Sequence, residues 1–135
     1  MKLFLDTNIL LDVLERRHPF FHSASHLWSM VELGKHEGFI SAISFNNINY
    51  LVQRHFGPSV AQRAMEILAA TFKTVPLTQE ILVKAIASHG NDFEDAIQFH
   101  SAINCQATHL LTRNGKDYPQ TALAIMTPDD FLCCH

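Results

Sequence analysis

The chain has 135 residues, 47% hydrophobic, 17% charged and 10% aromatic, with a formal net charge of −3. A chain of this length buries roughly two-thirds of its unfolded surface, enough for one domain over residues 1–135 without covalent staples. The apolar fraction excludes intrinsic disorder, and no apolar run approaches the ~20 residues that a bilayer requires, so no membrane role is expected. The opening Met1-Lys2-Leu3-Phe4-Leu5-Asp6 is too short and too soon acidic for a secretory signal. Three cysteines, two of them adjacent (Cys133 and Cys134), make no disulfide framework. They suit a reducing compartment, and the cytoplasm is the expected location.

In chain order, Lys2–Leu5 is a short apolar run that predicts a buried strand. Thr7 is placed to cap a helix from Asn8 to Arg17, whose Ile9, Leu10, Val13 and Leu14 fall at helical spacing. Pro19 suits the first turn of a second helix to about Lys35, and Gly38 ends the connection. Phe39–Ile43 is the second predicted strand. After Ser44 a helix carries Phe45, Ile48, Leu51 and Val52 on one side and stops at Gly57-Pro58. Ser59 to Phe72 is again helical. Thr74–Leu77 is a short predicted strand that contains Pro76 and so is expected at a sheet edge or near an end. Thr78 opens a helix closed by Gly90, and Asn91 or Asp92 caps the next, to about Gln106. Ala107–Thr112 and Ala122–Met126 are the last strands, before a terminal helical turn from Thr127-Pro128-Asp129-Asp130. Strands separated by helices predict an α/β three-layer sandwich around a central parallel sheet.

Ligands bind beyond the carboxyl ends of the strands in such sheets, so the polar residues found there carry the functional reading. They are Asp6-Thr7-Asn8, then Ser44 with Asn46-Asn47, then Arg113-Asn114-Gly115-Lys116-Asp117. Asp92-Phe93-Glu94-Asp95 opens the helix before the fourth strand. Acids and amides without a clear His or Cys set form a hard, oxygen-rich site suited to Mg²⁺ or Mn²⁺ rather than zinc. Each piece has a local alternative. Asp6 can simply cap its helix, Asp92 with Asp95 and Asn91 with Glu94 stand at capping-box spacing, and Asn114-Gly115 is an ordinary turn. Against pure capping, three acids within one turn repel one another by ~0.2–0.5 kcal/mol per like pair.

Four blocks resemble the PIN-domain family, which contains VapC-type toxins of toxin–antitoxin pairs. They are Phe4–Asp12, Ile40–Ile48, Asp92–Gln98 and Leu110–Tyr118, in the family's order and spread over nearly the whole chain. The resemblance implies a PIN-like fold and a Mg²⁺- or Mn²⁺-dependent ribonuclease. By position, Asp6 becomes the principal metal ligand and Asp95 the acid that joins it, with Asp92 a further metal ligand and Asp117 a further ligand, directly or through water; all four are the expected catalytic acids. Thr7, Asn8, Ser44, Asn47, Thr112 and Asn114 become the residues that orient them. Arg113 and Lys116 flank the site and are expected to meet RNA phosphates, whereas Arg16, Arg17 and Arg54 read as solvated helix ends. Neutralising Asp6, Asp92, Asp95 and Asp117 with metal takes the net charge from −3 to +1, so its sign does not exclude RNA. The likeness further implies an antitoxin partner and a homodimer.

Two positions depart from the family pattern: Asn47 stands where a Glu is usual, and Asn114 where many members have Asp. An inactive PIN fold that binds RNA or a partner is therefore the alternative function. A strand ending Leu5-Asp6-Thr7 also resembles haloacid-dehalogenase-like phosphatases, but Asn8 occupies the place of the second acid that chemistry needs. His18, His22 and His26 recur every four residues without an HExxH pattern, and read as a partly wet helix face rather than a zinc site. Cys133-Cys134-His135 reads as a frayed terminus. Phe20-Phe21 and Trp28 read as core or dimer contacts rather than base-stacking platforms.

Overall fold

The computed structural model describes residues 1–88, 92–119, 121 and 123–135, with Asp117 described in its backbone alone. Five strands, β1 (Lys2–Leu5), β2 (Glu37–Ser41), β3 (Lys73–Val75), β4 (His109–Leu111) and β5 (Ala124–Met126), form one sheet in the order β3-β2-β1-β4-β5. Every pairing is parallel. Among the described residues, seven α-helices connect or follow the strands: α1 (Thr7–Leu14), α2 (Phe21–Glu32), α3 (Ala42–Phe56), α4 (Pro58–Thr71), α5 (Gln79–Ser88), α6 (Phe93–Asn104) and α7 (Pro128–Cys134). The expected three-layer α/β sandwich is present.

Strand alternation assigns the layers. Leu3 and Leu5 point into one core with α1, α2, α3, α4 and Phe131 of α7. Phe4 and Leu110 point into the other, against Ile81 and Ala85 of α5 and Ile97, Phe99 and Ala102 of α6. Leu3, Phe4 and Leu5 all have no exposed surface, as a central parallel strand covered on both faces requires. Trp28 is buried edge-on to Phe72, with centroids 4.9 Å apart, inside the first core.

Several predicted boundaries move, each for a local reason. Asp6, not Thr7, caps α1: it is extended and accepts from the Asn8 amide, while Thr7 is already helical. That helix ends at Leu14 rather than Arg17, and Arg16 is left-handed at φ 50°. Pro19 lies in a turn, so α2 begins at Phe21. It closes before Lys35 because Gly34, at φ 76°, lets the Lys35 and Gly34 amides reach back to the carbonyls of Met30 and Val31. The second strand is Glu37–Ser41, not Phe39–Ile43, because Ser41 accepts from the Ile43 amide and starts α3 there. Gly38 therefore lies inside a strand, and its missing side chain makes room for Val31 and Phe72; a Cβ there would stand 2.7 Å from each.

The edge position of β3 is as expected, though it ends at Val75, before Pro76. Asp92 caps α6, accepting from the Asp95 amide at 3.0 Å. The Gly90 stop, Asn91 as the other cap and Ala122 as the start of the last strand lie outside the described residues. Cys133 and Cys134 are exposed in α7, whose N-cap is Thr127. No helix among the described residues is long and apolar enough to cross a membrane.

Candidate functional site

The strand order puts β1 between β2 and β4, so successive connections leave β1 in opposite directions and open a crevice at its carboxyl end. Asp6 follows β1 and Thr112 follows β4, and the two residues meet there. The Thr112 hydroxyl donates to Asp6 Oδ2 at 2.7 Å. Oδ1 of the same carboxylate accepts from Gln98 Nε2 at 3.1 Å and from the Asn8 amide at 3.3 Å. Asp6 is only 4% exposed, and these three donors replace the water it has lost.

Gln98, on α6, also ties the neighbouring residue. Its Oε1 accepts from the Thr7 amide at 2.9 Å, satisfying one of the orphan N–H groups at the start of α1. The Thr7 hydroxyl shares a 2.7 Å hydrogen bond with Ser44, at the start of α3. Four elements that are distant in sequence thus converge on one rim: the ends of β1 and β4 and the beginnings of α3 and α6.

Asp95 stands one helical turn before Gln98 and faces the same rim. Its Oδ1 accepts from the Tyr118 phenol at 3.3 Å. Burial, and then the charges of Asp6 and Asp92, push its pKa from 3.8 up to about 6, against the opposing pull of the Tyr118 hydrogen bond. Burial, then the carboxylates of Asp6 and Asp95, push the Tyr118 phenol upward, so it remains a proton donor at neutral pH. The influence of the Asp6 charge on Asp95 is the electrostatic signature of two acids on one crevice.

The remaining expected residues occupy varied places. Asp92 is exposed and serves as the α6 cap, so the local reading of its position describes its geometry. Asn8 contributes its backbone amide to Asp6. Asn47 is half-buried one turn beyond Ser44, in a groove that also holds Glu94. Asn114 is exposed, and its amide donates to the Thr112 hydroxyl at 3.3 Å. Lys116 is exposed beside a cleft shared with Leu123, Thr127 and Asp130. The Asp117 side chain lies outside the described residues.

Arg113 turns inward. Its Nε lies 3.2 Å from Oδ2 of Asp12, which has no exposed surface, and its guanidinium carbon sits 4.0 Å from the centre of the Phe20 ring. Arg17 pairs with Glu15 at 2.9 Å, and Arg54 reaches the Tyr50 hydroxyl at 3.5 Å. His18, His22 and His26 are exposed. Two residues of the site, Gln98 and Tyr118, were not singled out from the sequence. The available signal for Gln98 was its i+3 spacing from Asp95, which puts both on one helix face. For Tyr118 there was none beyond proximity to the fourth block.

The donor set on the crevice is entirely oxygen. That fits a hard cation such as Mg²⁺, which keeps several waters and is held by one or two carboxylates. Among the described residues, no group of three or more His, Cys, Asp or Glu side chains comes together as a ready ligand cage.

Comparison with known proteins places this geometry in context. The family model described as PIN domain matches residues 2–116. A toxin–antitoxin complex from Klebsiella pneumoniae contains a chain with a similar fold, at TM-score 0.70 and 23% identity, over 93% of this chain and 97% of that one. VapBC-1 from nontypeable Haemophilus influenzae aligns at TM-score 0.70 and 19% identity, over 96% and 99%. Mycobacterium tuberculosis VapC20, described as a sarcin–ricin loop cleaving toxin, aligns at TM-score 0.66 and 16% identity, over 80% and 86%. No curated protein matches the sequence. With its family match running through most of the sheet and the crevice built at the end of β1, the chain belongs to the PIN-domain family.

Proposed function

We propose that the chain is a Mg²⁺- or Mn²⁺-dependent endoribonuclease and the toxin of a toxin–antitoxin pair. The observation that carries this reading is that Gln98 of α6 holds Asp6 at the crevice while Asp95 stands one turn earlier on the same helix, where the charge of Asp6 raises the Asp95 pKa and a cation would relieve the repulsion. Asp6 and Asp95 would hold the ion. When bound, such a cation neutralises charge developing at a phosphodiester and acidifies the attacking water. The chain's own residues do the positioning. Gln98 and Thr112 fix the Asp6 carboxylate, Thr7 and Ser44 brace the backbone behind it, and Tyr118 fixes Asp95.

The substrate is proposed to be RNA, in line with the description of VapC20 as a toxin that cleaves the sarcin–ricin loop. The toxin–antitoxin complexes among the structural neighbours support an antitoxin partner, which in this proposal binds over the crevice. A homodimer and a cytoplasmic location belong to the same proposal. The test is cleavage of structured RNA by the wild type and by Asp6→Asn, with Mn²⁺ and with EDTA. Metal-dependent cleavage that the variant loses supports the proposal; equal cleavage in all arms overturns it.

A second reading, a PIN fold that binds RNA or a partner without cutting, is favoured by Asn47 and by the lack of a three-acid cluster among the described residues. Calorimetric titration with Mn²⁺ separates the two. Tight binding that requires Asp6 argues for the nuclease, and none at millimolar metal argues for the binding module.

A further inference from the structure

We propose that the carboxamide-lined groove between α3 and the start of α6 holds an unpaired nucleobase of the substrate, stacked on Tyr50 and read by asparagine and glutamine side chains. The proposal rests on the ribonuclease reading above and names the substrate class: single-stranded or looped-out RNA. The groove encloses about 490 Å³ and is lined by Asn46, Asn47, Asn49, Tyr50 and Gln53, with Glu94 from α6. That volume lies within the range of small-ligand sites.

Three facts point to a base rather than a phosphate. First, the lining concentrates carboxamides, each with an acceptor and two donors, and none is hydrogen-bonded to another described residue. Such groups match the edges of adenine and other unstacked bases, often bidentately. Second, Tyr50 is 61% exposed on the same helix face, and Arg54 reaches its hydroxyl, which steadies an open aromatic platform. Third, among the described residues that line the groove Glu94 carries the single charge, and Arg54 reaches only the Tyr50 hydroxyl at its margin, so the lining disfavours a phosphate and admits a neutral base.

The helix itself carries a cost for this surface. Asn is a poor helix former, yet three occur between positions 46 and 49, while Ser44, Ile48 and Val52 are buried on the opposite face with Phe45 and Leu51 packed beside them. The groove also adjoins the acid crevice. Asn47 lies one turn beyond Ser44, which touches Thr7, and Glu94 immediately precedes Asp95. A base seated in the groove therefore places its own backbone beside Asp6 and Asp95.

The test measures binding without cleavage. Labelled RNA homohexamers of each base, and a duplex of the same length, are titrated in EDTA against the wild type, the Tyr50→Ala/Gln53→Ala double variant and Tyr50→Phe, with thermal melts confirming equal folding. Both positions are exposed, so the substitutions leave the cores intact. The expected result is tighter binding of at least one hexamer than of the duplex, about tenfold weaker in the double variant and retained in Tyr50→Phe. Unchanged affinity in the double variant, or equal affinity for duplex and hexamers, overturns the groove. Cleavage by the wild type with unchanged hexamer affinity removes the groove and keeps the nuclease. Loss of hexamer affinity in a protein that never cleaves keeps the groove and removes the nuclease.

Discussion

Gln98 donates from Nε2 to Asp6 Oδ1 at 3.1 Å, across 92 residues of sequence, and so locks the start of α6 to the end of β1. Its other amide atom accepts from Thr7, so one side chain orients the acid and satisfies the helix that follows. Replacing it with Leu leaves a buried carboxylate short of a donor and an amide short of an acceptor. Gln98→Leu is expected to cost about 1–3 kcal/mol, read as a lower urea midpoint at unchanged slope. Gln98→Glu sets a second carboxylate against Asp6; its loss at pH 7 should exceed that of Leu and shrink on acidification.

Asp95 gives the metal-free protein a pH dependence of known sign. Its folded pKa, about 6, lies above the ordinary 3.8, so the folded state holds this proton more tightly than the unfolded state. The stability it contributes is present below pH 4 and is lost as pH rises toward 6. Melting temperatures in EDTA should therefore show Asp95→Asn gaining on the wild type across that interval and staying above it at pH 7. Parallel curves for the two proteins would contradict the assignment.

On the proposed function, a divalent ion held by Asp6 and Asp95 would stabilise the folded state by mass action. At a hundred times its dissociation constant the gain is about 2.7 kcal/mol. Mn²⁺ is expected to raise the wild-type melting temperature, and Asp6→Asn to abolish the shift. Differential scanning calorimetry over a Mn²⁺ series measures both.

Asp12 is fully buried against a half-buried Arg113, and neither Asp12 side-chain oxygen makes a hydrogen bond among the described residues. Burial raises the Asp12 pKa, and Arg113 opposes that shift most. Among the described residues Arg113 is the cation within ion-pair distance of Asp12, and Arg113→Ala is expected to cost about 3 kcal/mol. The Asp12→Leu/Arg113→Met double variant, which removes both charges, should recover most of that loss in the same urea titration.

Gly38→Ala tests the strand packing. The added methyl meets Val31 and Phe72 at 2.7 Å, too close for real atoms, so one of two core side chains must shift. A loss of about 1–3 kcal/mol by chemical denaturation is expected, with the crevice chemistry unaffected.

What the sequence by itself determined was whatever depends on near neighbours along the chain. Alternation and apolar runs located all five strands, helical spacing located the helices, and Pro76 placed β3 at an edge, because those signals act over one or two turns. Boundaries shifted where capping was ambiguous, as with Asp6 against Thr7 and Ser41 against Ser44. The acids after β1 and at α6 were visible as residue types at strand and helix ends. Tertiary structure alone decided which of them share a crevice. It brought Thr112 to Asp6 across 106 residues, gave Gln98 and Tyr118 their roles, and turned Arg113 inward onto a buried Asp12. The reason is geometric: a side chain's partner depends on strand order and parallel register, which bring distant segments together, and neither is encoded in any short stretch of residues.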